Sequence, residues 1–213
     1  MLTNILIPAL GETLYMVLIS TFLAVLIGFV PAIIMIITDK NGLKPNEPVY
    51  NTLDMIINVL RSFPFIILLI LLIPFTRLLL GTYIGTTAAI VPLTIGCAPF
   101  VTRVIESALK EVDKGVIEAA KSFGASTSQI VFKIMLPEAL PSIVSGITLT
   151  AIVVVGFSAM AGAIGAGGLG DVAMRYGYQM FKTDVLIATV IVLIVLVQAI
   201  QTIGTLIYKK VNR

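Results

Sequence analysis

Five long apolar stretches divide the chain, separated by short polar segments. Residues 13–38 carry no charge and hold Pro31 late in the run. Residues 55–76 are interrupted by Arg61 but contain "FPFIILLILLIPF". Residues 78–102 are uncharged and rich in Gly, Thr and Pro. Residues 139–170 are uncharged and unusually long, with the span itself set at 139–165, and residues 185–208 read "VLIATVIVLIVLVQAIQTIGTLIY". A hydrocarbon core about 30 Å thick needs about 20 apolar helical residues. None of the five shows the period-2 alternation of a barrel strand, so each is expected to be a helix. The second and third runs meet between Arg77 and Gly81 with almost no loop, which predicts an antiparallel hairpin. The expected fold is an all-α membrane protein of one domain, residues 1–213, with five transmembrane helices.

Composition agrees. The chain is 58% hydrophobic and 12% charged, against about 25% charged in soluble domains. A soluble fold of this size could not hide so much apolar surface. The sequence has no histidine or tryptophan and one cysteine, Cys97, inside an apolar run. That excludes an internal disulfide, leaves no cysteine cluster for a metal, and makes Cys97 a small buried apolar residue. The first run lacks a basic leader and a small-residue cleavage site, so it is read as a retained membrane helix.

Orientation follows from Lys and Arg in the short loops. With five spans the termini fall on opposite sides. One side receives ten basic residues (Lys40, Lys44, Arg103, Lys110, Lys114, Lys121, Lys133, Lys209, Lys210 and Arg213) and the other receives Arg77, Arg175 and Lys182. The basic side, with the carboxyl terminus, is expected in the cytoplasm and the amino terminus outside. The net charge of +3 follows from that asymmetry and gives no reason to expect a nucleic acid as partner.

"GAGGLG", residues 165–170, matches the spacing of a dinucleotide-binding fingerprint. That motif needs a preceding strand and a βαβ unit, and here it follows an uncharged membrane helix. The glycines are read instead as a close backbone approach or a place where a helix unwinds at the outer face. No G-x-x-x-x-G-K-[ST] occurs, so the chain has no phosphate loop of its own. Arg61 is the one clear intramembrane charge, and Asp54, Asn58 and Arg61 share a helix face. They form either a polar stripe toward an aqueous path or subunit interface, or an arginine snorkelling to the surface with Asp54 as its partner.

The segment "EAAKSFGASTSQIVFKIMLPEAL", residues 118–140, is too detailed for a slack connector. Lys110 to Phe123 reads as a short helix, with Ile117, Ala120 and Gly124 along one side and Gly124 as a left-handed stop. Ser126 with Gln129 reads as a capping box. Ile130, Val131 and Ile134 supply the apolar face of a second short helix, ended by Pro137. Two angled helices with small residues at the bend leave room for a partner; an amphipathic loop lying on the membrane is the alternative.

Glu118-Ala119-Ala120, Gly124, Ile134 and Leu136-Pro137 stand at the spacing of the "EAA" loop, and the segment resembles that loop in ATP-binding-cassette importer permeases. The resemblance implies a type I-like permease fold and makes the loop, residues 103–138, a coupling helix that docks in a separate cytoplasmic ATPase subunit. "LRSFPFIILL", "APFVTRVIESAL", "SAMAGAIGAGGLGD" and "YGYQMF" extend the likeness to the methionine-uptake branch of these permeases. That branch implies a homodimer in the cell membrane, two ATPases carrying ATP-Mg, and an extracytoplasmic binding lipoprotein. It implies no catalytic residue, cofactor or metal on this chain.

Without a nucleotide site and with little intramembrane charge, the chain must take its energy from a partner. Alternating access at a twofold axis follows, for methionine or another small amino acid. Met160, flanked by small residues, suits a movable apolar constriction. Ordinary packing is the alternative, and only the resemblance favours a gate. Ser158 and Arg61 are assigned to the same path. An ion-coupled secondary transporter is disfavoured by the scarcity of intramembrane acids and the lack of paired broken helices in inverted repeats. A membrane enzyme is disfavoured by the absence of histidine and of any nucleophile–base pair.

Overall fold

In lipid each backbone N–H and C=O must find its partner within its own segment or in a neighbouring protein element, so uncharged apolar runs fold as long helices. The computed structural model describes residues 2–212. In chain order the helices are α1 Leu2–Thr38, α2 Glu47–Ser62, α3 Phe65–Leu71, α4 Ile73–Leu80, α5 Thr86–Lys110, α6 Lys114–Ser122, α7 Thr127–Ile130, α8 Leu136–Ala161, α9 Gly168–Val172 and α10 Thr183–Val211. Wider π-helical turns, Val131–Met135, Gly162–Ala166 and Ala173–Gln179, join the later ones. Four helical stretches are long and apolar enough to cross a membrane: Asn4–Thr38, Thr86–Lys110, Thr127–Ala166 and Thr183–Val211. There are five if α2 and α3 count as one broken span.

The second apolar run, residues 55–76, departs from expectation. It is not one helix: α2 and α3 meet at 99°. Pro64 is the cause. A residue before proline is pushed out of the helical region, and Phe63 is extended at φ −71°, ψ 127°. The chain breaks again at Leu72, with Pro74 in the first turn of α4, and α4 stops at Gly81 in the left-handed region. The helix of the third apolar run therefore begins at Thr86 rather than residue 78, after a tight turn whose Gly85 N–H donates to the Gly165 carbonyl at 3.0 Å.

Helix α5 is the centre of the bundle: 67% of its most apolar window is buried, against 11% for α10. It lies along α1, where the Thr102 hydroxyl donates to the Gly28 carbonyl of α1 at 3.1 Å. Phe65 of α3 stacks on Phe157 of α8 with ring centroids 4.2 Å apart, which fixes the bent segment to the bundle. Cys97 is buried in the core, as expected of a small apolar residue.

The fourth apolar run lies within a continuous helical stretch from Thr127 to Ala166. Pro137 does not end a helix; it occupies the first turn of α8. A proline ring clashes with the carbonyl four residues back and lacks an N–H. The π-helical turn Val131–Met135 just before it relieves both problems. At the other end the "GAGGLG" stretch unwinds, with φ of +100°, +81° and +75° at Gly165, Gly167 and Gly168. There α9 folds back against α8: a Cβ on Gly170 would lie 2.3 Å from the Ala159 carbonyl oxygen and 2.5 Å from its Cα.

Both are backbone atoms, so no rotamer change relieves the clash. Gly170→Ala should lower stability by about 1–3 kcal/mol through overpacking. Gly11→Ala, in α1 with open space around the added methyl, should be neutral or gain up to about 1 kcal/mol of helix propensity. Thermal unfolding of the two variants in detergent measures the contrast.

Candidate functional site

Three features stand along the α5–α8 axis: a polar knot, a structured loop and a glycine kink. The knot centres on Glu106, the one buried charged side chain among the described residues. Its carboxylate takes Arg103 Nη1 at 2.8 Å on one oxygen and Lys110 Nζ at 2.8 Å on the other. The Tyr50 hydroxyl of α2 donates to that second oxygen at 2.9 Å and accepts from Lys110 at 3.0 Å. Lys110 also reaches Asp39 beyond α1, at 2.9 Å. Arg103 pairs with Asp54 and donates to Asn58 Oδ1 at 2.9 Å. Helix α2 and the segment just after α1 are thus both tied to α5.

Burial alone would raise the Asp39 carboxyl, but the Asn41 N–H and the Lys110 ammonium outweigh it and hold the pKa below the ordinary carboxylate value. Its contribution to stability is therefore whole above that ordinary value and fades only as the pH falls through the lowered one.

The knot revises one expectation. Asp54 is the partner of Arg103, not of Arg61. Arg61 points elsewhere: its guanidinium lies 5.8 Å from the Phe100 ring centroid. With Ser107, Ser142 and Ser145 it lines an open groove of about 560 Å³. Glu106 was missed because it sits in a polar-looking helix end; only the Arg103-x-x-Glu106-x-x-x-Lys110 spacing hinted that the three share a face.

The loop lies at the same end of the bundle. Residues 103–110 belong to α5, so the loop of two short helices expected over 103–138 begins only after Lys110. Helix α6 begins at Lys114, capped by Asp113, whose Oδ1 accepts from the Gly115 N–H at 2.6 Å; it is thus separate from Lys110. Ala120 is buried and Ile117 half-buried against the core, while Glu118, Ala119 and Phe123 face outward. Gly124 takes φ +75° with nothing within 4 Å of an added Cβ. The Ala125 N–H closes back on the Ala120 carbonyl at 3.1 Å. The capping box is present: Ser126 N–H donates to Gln129 Oε1 at 2.8 Å and Gln129 N–H to Ser126 Oγ at 3.3 Å. Ile130, Val131 and Met135 are buried, and Ile134 and Leu136 half-buried. Phe123, 91% exposed, is the tip.

At the far end of the same helical stretch stands Met160. It lies in the last turn of α8, next to the kink, rather than mid-helix, and is 47% exposed. Ser158 is buried, and its hydroxyl donates to the Val155 carbonyl of its own helix at 2.8 Å. The kink is held from α1. Glu12 Oε2 accepts from the Gly168 N–H at 2.6 Å, and Thr13 Oγ1 accepts from the Leu169 N–H at 2.9 Å. Glu12 went unnoticed in the sequence because it precedes the apolar run, whereas α1 starts at Leu2.

The bundle thus carries a loop of two capped helices with an exposed aromatic at one end and a glycine kink at the other. The sequence pattern of the family described as binding-protein-dependent transport system inner membrane component matches residues 24–213. The chain belongs to that family. This transport component is 49% identical over 210 residues to a probable D-methionine transport system permease protein of Vibrio cholerae, covering 99% of the chain and 93% of the relative. It is 48% identical over 180 residues to a methionine import system permease protein of Bacillus subtilis, covering 84% and 81%. Its fold superposes on a chain of the inward-facing MetNI methionine ABC transporter with a TM-score of 0.97 at 44% identity, covering 99% and 98%. An amino acid ABC transporter chain at 24% identity shares the fold with a TM-score of 0.79.

Replacing Glu106 by Gln keeps its shape and removes the charge between Arg103 and Lys110. Breaking a buried pair from one side costs about 3 kcal/mol, and the half-exposed Lys110 holds the expected loss to about that lower figure or below. Asp39→Asn, at the rim, should lose less. Unfolding midpoints of the two variants in detergent test the ranking.

Proposed function

We propose that this chain is the translocation-path subunit of an ATP-driven importer for methionine. The observation that carries the reading is the loop: a helix, a left-handed glycine stop and a boxed second helix, in the EAA spacing, with Phe123 and Glu118 free at its surface. In this reading the loop sits in a cleft of a cytoplasmic ATPase, which holds ATP-Mg. Two copies of the chain enclose the path at a twofold axis, and an extracytoplasmic binding protein delivers the substrate. The chain crosses the membrane five times, α2 and α3 forming one bent passage. Its amino terminus is outside and its carboxyl terminus in the cytoplasm.

One helical stretch supports a mechanism in this reading. The helical stretch from Thr127 to Ala161 is about 50 Å long at 1.5 Å per residue. It begins in the ATPase-facing loop and ends at Met160 and the kink. Closure of the ATPase cleft moves the loop, and the rod carries that movement to Met160, the proposed constriction, with Ser158 buried behind it. Arg61, over its open groove, lines the cytoplasmic part of the path.

Gly124→Asp should leave insertion, dimerisation and stability nearly intact, since a left-handed position costs a side chain about 1 kcal/mol. It should release the ATPase or uncouple hydrolysis from uptake; Glu118→Lys should act the same way, more weakly. Co-purification of the ATPase and uptake of labelled methionine measure both. Normal uptake with full ATPase retention in Gly124→Asp would overturn the coupling role.

A cysteine at position 160 should cross-link to its twin in one nucleotide state and not in another. Labelling from lipid alone, with no cross-link in any state, would leave Met160 a packing residue.

A further inference from the structure

Beside the loop is a cavity of about 340 Å³ that the transport cycle does not use. Its walls come from the ends of three spans: Ile36 of α1, Leu109 of α5 and Met135 of the π-helical turn before α8. Its mouth carries Lys40, Lys114 and Lys121, all exposed. None of these three is in an ion pair among the described residues. The fourth lysine, Lys110, is already neutralised by Glu106 and by Asp39, the one acid in the lining. The site thus joins an apolar floor to three cations that form no ion pair, beside the ends of three long apolar helices. A purely acidic peptide would leave the floor unfilled, and an aliphatic ligand would leave the cations unpaired.

We propose that this cavity binds an anionic phospholipid of the cytoplasmic leaflet, its phosphate among Lys40, Lys114 and Lys121 and the start of its acyl chain against Ile36, Leu109 and Met135. Basic pockets between the cytoplasmic ends of membrane helices suit such headgroups. Because α6 forms one wall, a bound lipid braces the loop that faces the ATPase. The leaflet assignment rests on the orientation proposed above; the lipid chemistry does not.

The test titrates the full-length chain, purified in detergent with whatever subunits accompany it, with phosphatidylglycerol or phosphatidylcholine, reading bound lipid by native mass spectrometry. Wild type should prefer phosphatidylglycerol. A lysine beside an anionic surface is worth about a factor of five, so K40Q/K114Q/K121Q together should weaken binding about a hundredfold. K209Q/K210Q, basic but outside the cavity, should leave it unchanged. Equal binding of the two lipids by wild type overturns the proposal, whether or not the triple variant folds. So does unaltered binding by the triple variant, or equal loss in the Lys209/Lys210 pair. Displacement of the lipid by millimolar inorganic phosphate would reassign the site to a free anion. Release of the accompanying ATPase by the triple variant, with lipid retained, would reassign the surface to that partner. Labelling of K209C in intact cells by an impermeant maleimide would refute the leaflet and the orientation, while leaving lipid selectivity to be judged by the first readout.

Discussion

Glu106 is a full charge in a space nearly closed to water, and the loop-bearing end of the bundle depends on how it is satisfied. An isolated carboxylate there would be neutralised or expelled. Arg103 and Lys110, one turn away on either side, each donate to one of its oxygens, and each then draws a second partner from another element: Asp54 on α2 and Asp39 beyond α1. Tyr50 closes the ring from α2 by donating to Glu106 and accepting from Lys110. Because every member is shared, the three elements cannot shift independently without exposing an unpaired charge to low dielectric. The polar loop that follows α5 therefore starts from a fixed platform.

Prolines divide the remaining chain into parts that bend and parts that stay straight, and the difference is local. At Pro64 the preceding Phe63 leaves the helix entirely, and α2 and α3 diverge by 99°. At Pro137 the chain instead widens into a π turn and continues. The outcome differs because Val131 and Met135 are buried in the core on the inner face of that turn, so packing holds the helix through the lost hydrogen bond, while Phe63 is exposed and nothing holds it back. The straight solution links the loop to Met160; the bent one stacks Phe65 against that same helix at Phe157. The kink at Gly165 is likewise fixed from outside, by Glu12 and Thr13 of α1. Both ends of the proposed lever thus rest on α1 and α5.

Local chemistry was legible in the sequence wherever a residue acts on its immediate neighbours. The uncharged runs dictated membrane helices, because lipid leaves no alternative for their backbones. Gly124, Ser126 and Gln129 dictated the stop and the capping box through bonds reaching at most five residues, and the glycines after Ala163 dictated an unwound end. The EAA spacing itself is a local pattern, which is why it could be read without knowing any contact. What only the tertiary structure decided involves residues far apart in the chain. Asp54 shares a face with Arg61 two turns along α2, yet its partner is Arg103 of α5, 49 positions on, which packing alone brings to it. Pro137 has the local signature of a helix end, and core packing overrides it. Glu12 and Glu106 look like ordinary polar residues near helix ends until folding places a bare N–H at Gly168 against the first and two cations and a phenol against the second.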